Sequence, residues 1–373
     1  MNYYDFGLCK GLVGAGVKPT LYTCDKTEVT SGLPFNVKIT YRRIFGRDPA
    51  WRRGLRFLAG SVRALVGARL GRHSLAHFHV FQVGPLELFN ILLAKLLLFR
   101  VVITAHDVEA FRGEWSFIKS WVYGMADGVI AHNRVSQREL IRVLQVPEYK
   151  IHVIPHGNYL GQVGALTAAA DARSQLLLPE NATVLLFFGQ IKEVKGLDLL
   201  LGALALVRQS IPEVRLLIAG KMWGKDFAVY QTQIDRLGLA SHCISHIRYI
   251  AEVEVAAFYS AADLVVLPYK RIYQSGVILM AMSYGKPVLA SDLDGMTEVI
   301  EDQVTGFLFR SEDVRDLADK LVAVLADKQA MKRVAEQGHD LMQARYGWDH
   351  VGRLTAECYR TVTQGRQSKA QRA

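Results

Sequence analysis

The sequence predicts an α/β protein made of two parallel-sheet domains, and three observations carry that reading. Its 373 residues exceed what one hydrophobic core usually serves. Apolar strand-like runs alternate with helical patterns along the whole chain. Those runs are near-continuous Val, Ile and Leu, as expected of strands buried on both faces of a parallel sheet.

The elements follow in chain order. NYYDFGLCKGLVGAG reads as a helix closed by a glycine turn. Its glycines follow a helix instead of a strand, so they cap that helix and do not form a dinucleotide-binding loop. PTLYTC is the first strand. In DPAWRRGLRFLAGSVRALVGARLGRH, helical spacing puts Trp51, Leu55, Leu58, Val62, Leu65 and Leu70 near one side and most arginines elsewhere. LAHFHVF is a strand, and LFNILLAKLLLFRVVIT is a core helix running into a core strand, interrupted by Lys95 and Arg100 and short for a membrane span. GVIAHN and IHVIPHG complete the strands of the first half. The small and polar stretch GNYLGQVGALTAAADARSQLLLPENA reads as a linker. TVLLFFGQ, VRLLIAG, CISHIRYI, LVVLPY, KPVLASD and TGFLF are the strands of the second half, and a helix from Trp348 to Arg360 precedes a polar, basic tail.

Composition narrows the function. The charge balance is that of a globular protein, and the four cysteines form no CxxC pair, which fits a reducing, cytoplasmic setting. Asp5 and Lys10 interrupt the first apolar segment, so no secretory signal opens the sequence. The net charge is +10, and between Arg42 and Arg72 nine arginines face Asp48 alone. Such a block is a solvated face or meets an anionic partner. Nucleic acid is a poor candidate, because no stacking aromatics interleave with the arginines in a known reader motif.

Functional residues of parallel sheets lie at the carboxyl ends of strands. That rule selects His106-Asp107, Asn133, His156-Gly157, Gly189-Gln190, Gly220-Lys221, Pro268-Tyr269 and Ser291-Asp292. His77, His79 and His132 read as structural, hydrogen-bonded histidines. Two stretches are suited to anions. Lys192 and Lys195 stand just ahead of a helix from Gly196, and Ser275-Gly276 opens another helix whose free amides point outward. Two such sites in one domain fit a diphosphate better than a single phosphate.

FFGQIKEVKGLDLLLGAL, LLIAGK, the run from IRYIAEVEV to TGFLF and YGWDHVGRLTAECY resemble, in order and spacing, the donor half of GT-B glycosyltransferases of family four, over residues 184 to 360. VVITAHDV, GVIAHN and IHVIPHGNY extend the resemblance into the first half. It implies two Rossmann-like domains facing a cleft, over residues 1–160 and 161–345, with a helix in 346–373 returning to the first. It implies transfer of a sugar from a nucleotide-diphosphate donor, mostly with retention and without a metal. The acceptor is a glycan or a lipid-linked molecule, which would bring the arginine-rich helix to an anionic membrane surface. Polysaccharide or glycolipid biosynthesis is the implied setting.

Carried over by residue, Lys195 matches the lysine that holds the donor diphosphate, and Gln190 stands where an arginine is common. Ser275, Gly276 and Val277 form the amide turn, and Gly189 belongs to the first glycine turn. Arg248, Tyr249 and Ile250 lie where the base is read, largely through the backbone. Glu298 matches the acidic residue after the second glycine turn, and His106 a histidine that lines the sugar site. The family's paired glutamates fall on Ile272 and Met280, so Tyr273, Gln274 and Ser275 are left to supply neutral hydrogen bonds. The nearest approach to an Asp-x-Asp metal motif, at Asp292 in DLDG, reads as a turn. A second reading stays open, a catalytically silent GT-B protein that partners another glycosyltransferase. Family members also open with a strand and a glycine-rich turn; here a helix comes first, which implies an inner strand missing from the first sheet, the natural frame starting upstream or the chain being a fragment.

Overall fold

The computed structural model describes residues 2–106, 116–224 and 226–364; Asp107 and the end of the basic tail lie outside them. The chain forms two units, Met1–Gly157 with Arg345–Ala373, and Asn158–Ala344.

The first unit runs α1 (Asn2–Gly14), β1 (Thr20–Cys24), β2 (Asn36–Tyr41), α2 (Ala50–Leu70), β3 (Leu75–Val80), α3 (Pro85–Leu96), β4 (Arg100–Ala105), α4 (Ser116–Met125), β5 (Gly128–Ala131), α5 (Arg134–Leu144) and β6 (Ile151–Val153). β1 and β2 pair in parallel, and β3-β4-β5-β6 form a four-stranded parallel sheet. Local chemistry sets the helix starts. Pro85 opens α3 while the Glu87 carboxylate accepts from the Gly84 amide at 2.9 Å. Asn133 caps α5 by accepting from the Ser136 amide at 2.7 Å. Val101 to Ile103 and Val129 to Ala131 are almost wholly buried, as the apolar runs require.

β2 has no counterpart in the sequence reading. Its residues NVKITY carry a lysine and are mostly exposed or half-buried, so they lack the apolar run of an inner strand. The arginine-rich helix forms as expected, with one difference. Leu65 is buried with Gly60, Ser61, Ala64 and Ala68 on the core face of α2. The opposite side exposes Trp51, Leu55, Val62, Val66 and Leu70.

The second unit runs α6 (Ala169–Gln175), β7 (Thr183–Phe188), α7 (Leu197–Val207), β8 (Val214–Ala219), α8 (Ala228–Arg236), β9 (Cys243–His246), α9 (Glu252–Ala261), β10 (Leu264–Leu267), α10 (Gly276–Ser283), β11 (Val288–Ser291), α11 (Asp294–Thr297), β12 (Phe307–Phe309), α12 (Val314–Ala326) and α13 (Lys328–Ala344). Its sheet is parallel throughout, in the order β12-β11-β10-β7-β8-β9. From Asn158 on, the stretch read as a linker belongs to this unit, and it contains α6, which Arg173 ties to Asp263 at the head of β10 through two bonds of 2.9 and 3.0 Å.

The last helix, α14 (Trp348–Gln364), belongs to the first unit and packs on α1 over Val102 of β4, Ile130 of β5 and Ile154, just past β6. The two helices meet at backbone distance, since a Cβ on Gly352 would lie 2.2 Å from the Gly11 carbonyl carbon. Overpacking such a contact costs roughly 1–3 kcal/mol or more. Gly352→Val should therefore lower the denaturation midpoint of the protein well beyond what Gly124→Val does, where no atom lies near the added Cβ. Equal midpoints would refute this contact as a stability determinant.

Candidate active site

In the second unit the carboxyl ends of β7 and β10 and the start of α10 converge. After β7 the chain turns through Gly189 and the exposed Gln190 into a single 3-10 turn, Glu193–Lys195. Gly196 then starts α7 at φ +67°, and any Cβ there would sit 1.8 Å from the Pro268 carbonyl oxygen. Only glycine allows this turn to press against the end of β10. As a result the Lys195 ammonium lies 3.7 Å from the centroid of the Tyr269 ring. Ser275 Oγ in turn donates to the hydroxyl of buried Tyr269 at 3.4 Å. A Cβ on Gly189 would lie 3.1 Å from Val277, which places the first glycine turn against the first turn of α10. Gly189, Lys195, Ser275, Gly276 and Val277 are thus one constellation.

The two expected anion sites differ in charge. α7 carries Asp198 in its first turn, and that carboxylate pairs with Lys270 at 2.7 Å. α10 has no acidic residue in its first turn, and Ser275 makes no side-chain cap bond. The positive end of α10 is therefore not offset from within its own first turn, and Lys195 adds a full charge beside it. Lys192 is turned elsewhere, 4.9 Å above the Trp223 ring.

The remaining positions sort by exposure. Arg248 is exposed and engaged by Glu254 at 2.5 and 2.8 Å, while the same carboxylate accepts from the Ala251 amide at 3.1 Å. These bonds, the Arg248 ones first, hold Glu254 down to about 2. Tyr249 is exposed and Ile250 buried. Ile272, Gln274, Met280 and Glu298 are half-buried. The Ile272-Tyr273 turn packs on Gly295 of α11, where a Cβ would come within 3.0 Å of both carbonyl oxygens, so the helix leading to Glu298 abuts the missing-glutamate position. Asp292 accepts from the Ser311 amide at 2.8 Å and so staples a loop, in keeping with its reading as a turn.

In the first unit, His79, His106, His132 and His156 stand at or just beyond the ends of β3, β4, β5 and β6. They pack around Tyr4 of α1, with ring centroids 4.7–5.7 Å away. Hydrogen-bond directions fix their tautomers. The Ile154 carbonyl oxygen can only accept, so His132 must donate from Nδ1, at 3.1 Å. His132 Nε2 is then a lone pair and accepts from His106 Nδ1 at 3.3 Å. His106 Nε2 accepts in turn from His79 Nδ1 at 3.0 Å. His106 thus has both nitrogens engaged, and its ring stacks on Phe81 at 4.4 Å. His79 and His132, expected as separate structural residues, are its direct partners. Burial above all, and then the neighbouring histidines, hold His106 well below the usual imidazole range; burial takes His156 down to about 4. All are neutral at pH 7.

Comparison with known proteins decides the family. The model described as Glycosyltransferase Family 4 matches residues 4–158, and that described as Glycosyl transferases group 1 matches residues 169–340. A D-inositol 3-phosphate glycosyltransferase of Thermobispora bispora is 30% identical over 325 residues, 81% of this chain and 74% of its own. The chain belongs to glycosyltransferase family four. A D-inositol 3-phosphate glycosyltransferase of Segniliparus rotundus is 28% identical over 328 residues, 83% of this chain and 71% of its own. Among solved structures, Anabaena HepE in complex with UDP and glucose shares the fold with a TM-score of 0.74, at 21% identity over 95% of this chain and 96% of that one. The protein is a GT-B glycosyltransferase.

Sequence reasoning missed two parts of this glycosyltransferase. Tyr269, which links Lys195 to Ser275, was selected by position only. The histidine network was visible as a signal, a histidine at the end of four successive strands, but not as one assembly. Its neutrality has a pH consequence. A histidine depressed in the folded state leaves the unfolded state holding more protons below pH 6.5. Stability is therefore complete above about pH 6.5 and falls as pH drops toward the folded value. His156 alone, shifted from 6.5 to about 4, contributes a loss of up to roughly 3 kcal/mol by pH 4. Denaturant midpoints should fall between pH 7 and 5, and His156→Gln should flatten that slope. A slope unchanged by the substitution would refute the assignment.

Proposed function

We propose that this glycosyltransferase takes its sugar from a nucleotide-diphosphate donor bound on the second unit. It passes the sugar, with retention, to a glycan or lipid-linked acceptor in polysaccharide or glycolipid biosynthesis. The observation that carries the reading is the Lys195–Tyr269–Ser275 link, which sets one ammonium beside the first turn of α10. In a front-face transfer the bond from the anomeric carbon to the phosphate oxygen breaks, the acceptor oxygen bonds to the same face, and the acceptor's proton passes to the leaving phosphate. No enzymatic nucleophile is needed, and stabilising the leaving diphosphate is the main catalytic task. Lys195 and the amides of Gly276 and Val277 serve that role. With Ile272 and Met280 at the glutamate positions, Gln274, Tyr273 and Ser275 orient ribose and sugar by neutral hydrogen bonds, with Glu298 nearby. Arg248, Tyr249 and Ile250 read the base, as the family motifs imply.

Lys195→Ala should weaken binding of UDP, or of whichever nucleoside diphosphate binds best in a thermal-shift panel, by roughly ten- to hundredfold, the loss of one charge-assisted hydrogen bond of about 1.5–3 kcal/mol. Melting temperature without ligand should hardly change. Turnover in the parent should survive EDTA, because lysine and helix start supply the neutralising charge. Unchanged affinity in the variant, or activity lost in EDTA and restored by manganese, would overturn the site assignment.

A membrane-borne acceptor is supported by α2. Its exposed side carries Trp51 and Leu70, 62% and 80% accessible, beside the exposed Arg52, Arg63 and Arg69. An apolar stripe flanked by arginines suits the interface of an anionic bilayer at the cytoplasmic face. No helix among the described residues is long and apolar enough to cross a membrane. Each arginine near the surface adds about 1 kcal/mol, an attraction that salt screens. The protein should sediment with anionic vesicles at low salt and not with neutral ones. Arg52→Glu with Arg63→Glu should abolish this; Arg56 is unsuitable for the test, since it bonds Asp48 and the Arg43 carbonyl. Equal sedimentation of variant and parent would refute the role.

A further inference from the structure

Tyr159 lies in the stretch ahead of α6 and belongs to the second unit. Its backbone is held from several sides. The buried Asn158 donates from Nδ2 to the Met342 carbonyl at 2.7 Å and accepts from the Leu160 amide at 3.3 Å. The Gln162 and Val163 amides both donate to the Tyr159 carbonyl, at 2.8 and 3.0 Å. The Tyr159 amide donates to Ser283 Oγ, in the last turn of α10, at 3.2 Å.

From that end of the helix the side chain reaches back to the other. A Cβ on Gly276 would lie 2.7 Å from the Tyr159 hydroxyl oxygen and 3.8 Å from the ring carbon that bears it. Cβ bonds in a helix tilt toward its amino end, so the hydroxyl stands where the α10 amides open. Gly276, Met280 and Ser283 are spaced four and three apart and share one face of α10. Tyr159 runs along that face, and glycine at 276 leaves the room that its hydroxyl takes.

Two phenols therefore meet the start of α10, and they differ. Tyr269 is buried, bonded by Ser275 and covered by Lys195. Tyr159 is only half-buried. An uncharged hydroxyl at this place suits an anion that an ammonium and open amides already attract, since it adds a hydrogen bond and brings no charge of its own to desolvate.

We propose that Tyr159 is a further donor-binding residue, whose hydroxyl donates to an oxygen of the nucleotide diphosphate held by Lys195 and the α10 amides. The proposal rests on the reading of that site given above. The fixed backbone around Tyr159 sets the hydroxyl in place before the ligand arrives, which lowers the cost of ordering it. As the sugar departs, negative charge grows on the phosphate oxygen, and a donor already aimed there strengthens its bond.

Tyr159→Phe removes the hydroxyl alone. In calorimetric titrations its affinity for UDP, or for the best-binding nucleoside diphosphate, and for inorganic pyrophosphate should each fall about tenfold, as for one lost hydrogen bond to a charged group. The melting temperature without ligand should stay at the parent value. Lys195→Ala is titrated alongside. If Lys195→Ala weakens both ligands and Tyr159→Phe weakens neither, the site stands and the role of Tyr159 falls. A loss for the nucleotide alone also overturns the proposal, as does a parent that binds the nucleotide but not pyrophosphate, since the hydroxyl would then serve the nucleoside. A loss accompanied by a lowered melting temperature marks a structural role and overturns it too. If Lys195→Ala changes nothing, or the parent binds neither ligand, the reading of the site falls and this inference with it.

Discussion

The burial of parallel strands on both faces is the constraint from which the rest follows. A strand such as Leu185–Phe187 or Val265–Leu267, almost wholly enclosed, can present no polar side chain without leaving it unpaired. Polar chemistry is displaced to the carboxyl ends, where strands give way to turns. Lys195, Tyr269 and Ser275 in one unit and the four histidines in the other all occupy such positions.

The two units meet their polar ends differently. In the second, positive charge is concentrated and left without an acidic counterweight in the first turn of α10, while α7 is balanced by Asp198 and Lys270. A helix start flanked by a lysine attracts an anion; one that already holds a carboxylate does so less. In the first unit the polar groups satisfy one another. The chain from His79 through His106 and His132 to the Ile154 carbonyl leaves no freedom of tautomer, and burial keeps each ring uncharged. Such a network is rigid, and it is sensitive to acid for the same reason.

Close backbone approach is the other recurrent device. Gly352 against Gly11 joins the last helix to the first, and Gly196 against Pro268 brings Lys195 onto Tyr269. Each depends on a missing Cβ, but the consequences differ. The first contact holds a unit together across the full length of the chain, and the second builds a binding surface.

The sequence by itself determined the α/β class, eleven of the strands, the lysine turn and the amide turn, since apolar runs and glycine placement are local signals. The continuous apolar runs do not include β2, whose NVKITY carries the alternation of a partly exposed strand, nor do they include the helix hidden in the apparent linker. Helical spacing placed Leu65 on the wrong side of α2, because a helix with apolar residues on two faces does not say which one meets the sheet. Only tertiary structure decided that Tyr269 joins Lys195 to Ser275, that Asp198 offsets one helix start and not the other, and that four histidines at successive strand ends gather around Tyr4. These are contacts between residues far apart in sequence, and no local pattern encodes which side chain a strand end will meet once the sheet has assembled.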